Sequence, residues 1–542
     1  MSKNIAATLD QVAEKQGESI GLIEVRSGRQ LSFAELSRRS AAYARYLQQR
    51  GVRPGDRTML MVKPSADFIC LTFALFKIGA PVILIDPGMG YANLLRCIAG
   101  VQPRILIGIP QALIFARLFR RHFGSVHRSF CCGFSGGLFG PDIRRQVNED
   151  QTGFPSHEPA DDDLAAIIFT TGSTGPPKGV RYEHGIFAAQ LRVIRDYYGI
   201  AAGDIDQPAF PLFALFSTAL GACAVIPDMD PSKPAKVDPR KFVASIEQYG
   251  VTYSFGSPAI WNVVSSYCLK ENIVLHSLKK VLMAGAPVPG ELLERVSAIL
   301  PAGAAIHTPY GATESLPIVS MEGSEILAGT WQLSRQGKGT CVGRALPGIE
   351  IQVIRIEDGP LPEYRLVEEL PPGEIGEIIV RGDVVTRAYE NNERETRLAK
   401  IYDGGTFWHR MGDTGYLDSE GRLWFCGRKA HRVRTAAETL FTIPCEAIVN
   451  EHPDVFRSAL VGIAAGDGAG FQEPVLIVEP RKGAARLDDE LLREVRELAE
   501  KSHLTRDIRY FLSHPAFPVD IRHNAKIFRE KLAIWAEGKV QR

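Results

Sequence analysis

Nothing in this sequence pairs its cysteines. Nine are scattered through 542 residues without a Cys-x-x-Cys spacing, and Cys131 and Cys132 stand side by side. That argues against a disulfide framework and a thiolate zinc site, and makes a reduced, cytoplasmic chain the expectation. Charge of one sign is also missing. Lys and Arg number 63 and Asp and Glu 62, so no global field recruits nucleic acid or an anionic membrane. No uninterrupted apolar run reaches about 18 residues, so no transmembrane segment is expected. Met1-Ser2-Lys3-Asn4 leads into a polar stretch with no apolar h-region, and no signal peptide is expected. No short-period repeat is visible.

What is present points to a large α/β protein. The length exceeds one ordinary core, so at least two domains are expected. Residues 5–16 read as a short amphipathic helix. Leu22 to Val25 and then Leu31 suggest a hairpin, and Ser32-Phe33-Ala34-Glu35 is a capping box opening a helix to about Gln49. Arg57–Val62 and Pro81–Asp86 read as strands flanking an apolar helix over Ala66–Ile78, and the alternation returns at 93–108 and 242–283. Helices alternating with near-continuous apolar strands imply parallel-rich sheets covered by helices. Past residue 340, strands at 349–356 and 374–381 suggest a β subdomain with Pro/Gly turns. Charge density rises after Arg428, and 488–502 reads as a charged amphipathic helix. The reading is a large domain, 1–428, and a small mobile α+β domain, 429–542.

The densest chemistry lies in Thr170-Thr171-Gly172-Ser173-Thr174-Gly175-Pro176-Pro177-Lys178-Gly179, behind the apolar run Leu164–Phe169. Glycines let backbone N–H groups approach an anion, hydroxyls donate further bonds, and Lys178 adds charge. This is the chemistry of a triphosphate cradle. It is not a Walker A loop, because Lys178 follows Pro177 and precedes Gly179. Downstream, Gly285-Ala286-Pro287 follows an apolar strand, and small residues there admit a flat ring. In Tyr310-Gly311-Ala312-Thr313-Glu314, Tyr310 can stack on a base, Thr313 can bond a phosphate, and Glu314 offers Mg²⁺ a hard oxygen. Asp413 can accept from two ribose hydroxyls. Arg428 and Lys526 are candidate cations for the nucleotide.

These motifs, in this order, resemble the adenylate-forming superfamily of acyl-CoA synthetases, luciferases and peptide-synthetase adenylation domains. The resemblance covers essentially the whole chain. It implies an ATP- and Mg²⁺-dependent ligase in which residues 170–175, Lys178, Gly285–Pro287, Tyr310, Gly311, Asp413 and Arg428 hold the nucleotide. By the same resemblance Glu314 ligates the metal, Thr313 assists at the phosphates, and Lys526 enters the site for adenylation. Met411 stands where the family usually has Thr, and Ala525 where it usually has Gly. Ala214 replaces a usual His, Ala430 replaces the usual Asp or Lys hinge, and 434–444 has no glycine where a CoA thiol would approach.

Within the superfamily, the wording at 172–184, 439–442 and 522–530 is similar to a group from bacterial long-chain olefin biosynthesis. That group activates 2-alkyl-3-hydroxyalkanoic acids and closes them to β-lactones. The partners implied are an upstream dehydrogenase and a downstream β-lactone decarboxylase. The alternatives are a long-chain acyl-CoA or acyl-AMP ligase, or an inactive nucleotide-binding scaffold. His184 and His307 are candidate bases for the ring-closing hydroxyl. The segment 111–139 mixes Leu113, Ile114, Phe115, Leu118 and Phe119 with Arg117, Arg120 and Arg121. It reads either as a core helix with a solvated basic face or as an amphipathic contact surface.

Overall fold

The computed structural model describes residues 3–150, 153–160, 162–170, 176–465, 470–481, 488–519 and 526–540. Two parallel-rich sheets dominate its first half. The six-stranded sheet runs Arg128–Cys131, Ile105–Gly108, Thr58–Met61, Val82–Leu84, Leu164–Thr170, Lys178–Glu183. All neighbours in it are parallel except the last hairpin. The seven-stranded sheet runs Ala305–His307, Lys280–Met283, Tyr253–Gly256, Ile205–Asp206, Cys223–Ile226, Ile20–Glu24, Arg29–Ser32.

Between these sheets lies the helix Ala66–Ile78. It is mostly apolar in sequence and all of its residues are buried, as a helix without a continuous polar face must be; its Asp67 and Lys77 are paired with Arg39 and Asp10. Its Phe73 and Phe76 join one core with Leu22 and Ile226 of one sheet and Val82 and Ile105 of the other. The helix Phe33–Gln49 packs against it, opened by the expected capping box between Ser32 and Glu35.

The expected β subdomain is an antiparallel sheet of eight strands, with Thr406–Leu417 in the centre and Gly376–Arg381 and Leu423–Arg428 beside it. A smaller C-terminal unit holds the sheet Val455–Ala464, Gln472–Pro480, Tyr510–Ser513 with the helices Thr442–Asn450, Asp488–Glu500 and Arg529–Val540. Arg529 is tied within this unit to Glu446 at 2.5 Å. The unit meets the rest through close packing, as at Gly337 against Leu504 and Ile448, and through ion pairs. Arg335 forks onto Glu451 at 2.8 and 3.0 Å, and Arg432 meets Asp358 at 2.8 Å. Lys429 and Arg410 share the buried Glu377, at 2.9 and 2.6 Å.

Candidate active site

The carboxyl ends of the parallel strands in both sheets, the antiparallel sheet and the C-terminal unit converge on one cavity of about 1100 Å³. The strand Leu164–Thr170 pairs in register with Lys178–Glu183, Thr170 opposite Lys178. The phosphate-loop candidates Thr171, Gly172, Ser173, Thr174 and Gly175 lie outside the described residues, as does the side chain of Thr170. The hairpin therefore fixes the two ends of the loop. Lys178 lines the cavity, with its ammonium paired to Glu395 and 5.1 Å from the ring centre of Tyr389.

Gly285 follows the strand Lys280–Met283 with φ of 96°, a conformation open to glycine. Ala286 and Pro287 join it on the cavity wall. Gly311 lies in the strand Tyr310–Ala312, just before the turn that leads into Ser315–Ser320. A Cβ there would come within 2.5 Å of the Ser315 carbonyl oxygen, so the tight return that presents Thr313 and Glu314 needs glycine.

Tyr310, Asp413 and Arg428 form one unit. Asp413 and Arg428 are register partners on neighbouring antiparallel strands. The guanidinium meets Asp413 Oδ1 at 2.8 Å, and the Tyr310 hydroxyl donates to Oδ2 at 2.6 Å. Burial raises the Asp413 carboxyl above its ordinary range, while Arg428, the Tyr310 hydroxyl and Lys526 pull it back. Burial and Asp413 together push the Tyr310 hydroxyl well up, so it stays a donor. Lys526, from the C-terminal unit, reaches the same cavity wall.

Glu314 is held from two sides. The Tyr389 hydroxyl donates to its Oε1 at 2.7 Å, and its backbone carbonyl accepts from Thr386 N at 2.9 Å. Tyr182 donates to the Thr313 carbonyl at 2.5 Å. Behind them the buried Lys400 donates to the Thr386 carbonyl and lies 3.1 Å from His409 Nδ1. Burial drives its ammonium down to about 7. Among the described residues no group of three or more His, Cys, Asp or Glu side chains converges as a metal cluster. A single carboxylate at a cavity wall fits Mg²⁺, which takes few protein ligands and completes its shell with water and phosphate.

Neither candidate base reaches the cavity. His184 starts the helix His184–Tyr198 inside the core, its ring 5.7 Å from Phe76, and burial lowers it to about 4. His307 packs 5.3 Å from Tyr198 and is likewise lowered by burial. Neither contributes to the wall, so the structure favours the packing role for both over service to the ring-closing hydroxyl. His409 and His431 do line it. Burial, with the cations Arg529 and Arg428, lowers His431 to about 3, which makes it a weak base.

Beyond these polar residues the cavity turns apolar. Phe210, Phe213, Phe216, Phe255, Ile260 and Trp331 line it, with Phe213 stacked on Phe255 at 3.7 Å. One carboxyl stands in this wall. Asp206 is 1% exposed, bonded through Oδ2 to Ser217, and its Oδ1 has no hydrogen-bond partner among the described residues. Burial pushes it up to about 8. Tyr253 donates to the same Ser217 hydroxyl at 3.1 Å.

Tyr389, Tyr182, Lys400 and Asp206 were not legible as site residues. Tyr389 meets Glu314 across 75 positions of chain, and no local motif marks either Lys400 or Asp206.

A family model for AMP-binding enzymes matches residues 9–390. The chain is 44% identical to an olefin beta-lactone synthetase of Xanthomonas campestris pv. campestris, over 98% of this chain and 97% of that protein. It is 43% identical to one of Stenotrophomonas maltophilia, covering 99% of both. In fold it is similar to the amide bond synthetase McbA of Marinactinospora thermotolerans, with a TM-score of 0.81 at 22% identity over 98% of this chain and 99% of that one. It is also similar to ATP-bound MatB of Rhodopseudomonas palustris, with a TM-score of 0.79 at 21% identity over 99% of each chain. The family match spans most of the chain, and the chain belongs to the AMP-binding, adenylate-forming enzymes.

Proposed function

We propose that this enzyme is an AMP-forming ligase that converts long-chain 2-alkyl-3-hydroxyalkanoic acids to β-lactones. The observation that carries the reading is the shape of the cavity. One wall gathers Lys178, Glu314, Asp413, Arg428 and Lys526, and the space continues into an aromatic, apolar chamber. Polar groups suited to ATP and apolar walls suited to alkyl chains thus meet where a carboxylate would join them. The full-length likeness to two olefin beta-lactone synthetases supports the same substrate class.

In this reading the 170–179 loop and Lys178 hold the phosphates, Asp413 the ribose, and Gly285–Pro287 with Tyr310 the base. Glu314 is the Mg²⁺ ligand, kept in place by Tyr389, and the ion offsets phosphate charge when bound. The substrate carboxylate attacks the α-phosphorus and pyrophosphate leaves. Lys526 offsets the charge that builds on the phosphate. The substrate's own 3-hydroxyl then attacks the acyl carbon, the bond to AMP breaks, and the hydroxyl proton passes to the departing phosphate. Holding the nucleophile within the substrate replaces the entropy cost of a second reactant, which helps offset ring strain.

We place the domain division at 428/429, with 429–542 a lid that delivers Lys526. We further propose a cytoplasmic enzyme working beside an upstream dehydrogenase and a β-lactone decarboxylase. Among the described residues no helix is long and apolar enough to cross a membrane.

The segment 434–444 supports lactone closure over transfer to CoA. It folds as a short hairpin, Val433–Arg434 with Thr439–Leu440, closed by Thr435 and Glu438, with a Cβ at every position of the turn. The test is mass spectrometry of products from a syn-2-alkyl-3-hydroxy acid with ATP and Mg²⁺. A lactone with AMP in the absence of CoA supports the reading. A thioester formed in preference once CoA is added would transfer the enzyme to the acyl-CoA ligases.

A further inference from the structure

Between Asp86 and Asp142 the chain has no acidic residue and no lysine, but it has six arginines. Two are used internally: Arg104 pairs with Asp56 at 3.4 Å, and Arg128 donates to the Arg50 carbonyl. Arg117, Arg120 and Arg121 are exposed, and no ion pair engages them among the described residues. The protein as a whole is nearly neutral, so this is a local field in an otherwise balanced surface.

The same stretch carries large apolar side chains on the outside. Tyr91 is 72% exposed, Leu118 74%, Phe134 77% and Leu138 66%. They are strung along the helix Pro110–Leu118, Phe134 and Leu138 near its first residue and Leu118 at its last. The helix Pro110–Leu118 buries Ala112 and Leu113 and turns Ile114 and Leu118, one turn apart, outward. The ring of Phe115 touches Tyr91 at 5.8 Å and Phe119 at 4.7 Å. The loop carrying Phe134 and Leu138 begins against this helix, since a Cβ on Gly133 would lie 2.9 Å from Pro110 Cδ. Both side chains flank Gly136-Gly137, two glycines with positive φ, on a projecting turn. The helix is thus buried on one edge with its basic face solvated, and that outer face also carries uncovered apolar side chains.

We propose that this face docks on an anionic lipid bilayer. Guanidinium groups without internal carboxylates, and with no acidic neighbour in sequence to repel phosphate, match a negative headgroup layer. Aromatic and aliphatic side chains on a helix face and a projecting turn suit shallow insertion at that interface. The face also covers the six-stranded sheet that carries the phosphate hairpin: Phe169, at the end of its first strand, packs into the same cluster as Leu113 and Phe123. Under the proposed activity, an acid with two alkyl chains resides in membrane, and docking would bring the enzyme to it. The supply argument rests on that reading; the binding does not.

The test is co-sedimentation of the full chain with vesicles of phosphatidylcholine and of phosphatidylcholine mixed with an equal amount of phosphatidylglycerol. The chain is expected to pellet with the anionic vesicles and to be released by salt. The triple change Arg117→Gln, Arg120→Gln, Arg121→Gln is expected to lower partitioning on the order of a hundredfold. The pair Phe134→Ser, Leu138→Ser is expected to weaken it with little change in salt dependence. Adenylation of a short, soluble 3-hydroxy acid should be unchanged in both, which reports an intact fold. A chain that stays in the supernatant with anionic vesicles, or a triple variant that pellets equally, overturns the proposal. Self-association through this face without vesicle binding would overturn it too, and would assign the face to a second copy.

Discussion

Asp413 and Arg428 face each other across adjacent antiparallel strands and close an ion pair of 2.8 Å. The carboxylate is almost fully buried, and Tyr310 donates to its other oxygen. A charge so enclosed is tolerated because it is paired on both sides. It is also oriented by them, Oδ2 through the Tyr310 hydrogen bond and Oδ1 through the Arg428 charge.

If Asp413 holds the ribose, Asp413→Asn should raise the KM for ATP roughly ten- to a hundredfold, the worth of charge-assisted hydrogen bonds. Tyr310→Phe should cost less, because Arg428 still holds the carboxylate. ATP–pyrophosphate exchange at graded ATP measures both. An unchanged KM in Asp413→Asn would remove this residue from the nucleotide site.

The Tyr389–Glu314 bond gives a separate prediction for magnesium. Groups that hold a metal ligand in place typically contribute about ten- to a hundredfold to metal affinity. Tyr389→Phe keeps the ring and loses the hydroxyl that fixes Glu314. The half-saturating Mg²⁺ concentration should rise about tenfold, with rate restored at high Mg²⁺. A variant impaired equally at all Mg²⁺ concentrations would mean that Tyr389 acts elsewhere.

How far these contacts could be read in advance depended on distance along the chain. The strand Leu164–Thr170 before the phosphate loop, the capping box at Ser32 and the apolar helix Ala66–Ile78 were legible because hydrophobic period and capping are local signals. Glu314, Arg428 and Lys526 were legible as cavity residues because short motifs surround them. Tyr389, Lys400 and Asp206 were not. Each acts through a partner brought close by sheet order, and no residue type within a few positions announces it. The two candidate histidines show the converse: nearness in sequence to a motif is not nearness to the cavity, since a strand or helix points successive side chains to different faces.

Asp206 makes stability depend on pH. Its folded-state value of about 8 lies above the ordinary carboxyl range, so the native state keeps a proton that the unfolded chain gives up near pH 4. The native state is therefore penalised progressively as pH rises from about 4 to about 8, and the penalty is constant above that. Asp206→Asn keeps the shape and removes the titration. Its melting temperature should gain on wild type steadily from about pH 4 to about pH 8, by the order of a few degrees. A constant difference between the two proteins across that range would show that Asp206 is not held protonated.

If Lys526 is the adenylation lysine, it should separate the two halves of the reaction. Its side chain lines the cavity and acts electrostatically on Asp413, which would set it where charge grows during attack on the α-phosphate. A group that stabilises only developing charge should lower the rate and leave ground-state binding nearly untouched. Lys526→Ala is expected to slow ATP–pyrophosphate exchange about a hundred- to a thousandfold, with the Kd for ATP within a few-fold of wild type. Ring closure needs no new charge on that phosphate beyond what AMP carries away. The variant should therefore convert a chemically prepared 3-hydroxyacyl adenylate to lactone at close to the normal rate. Equal losses in both half-reactions would place Lys526 in the lactone-forming step as well, and no loss in either would take it out of the active site.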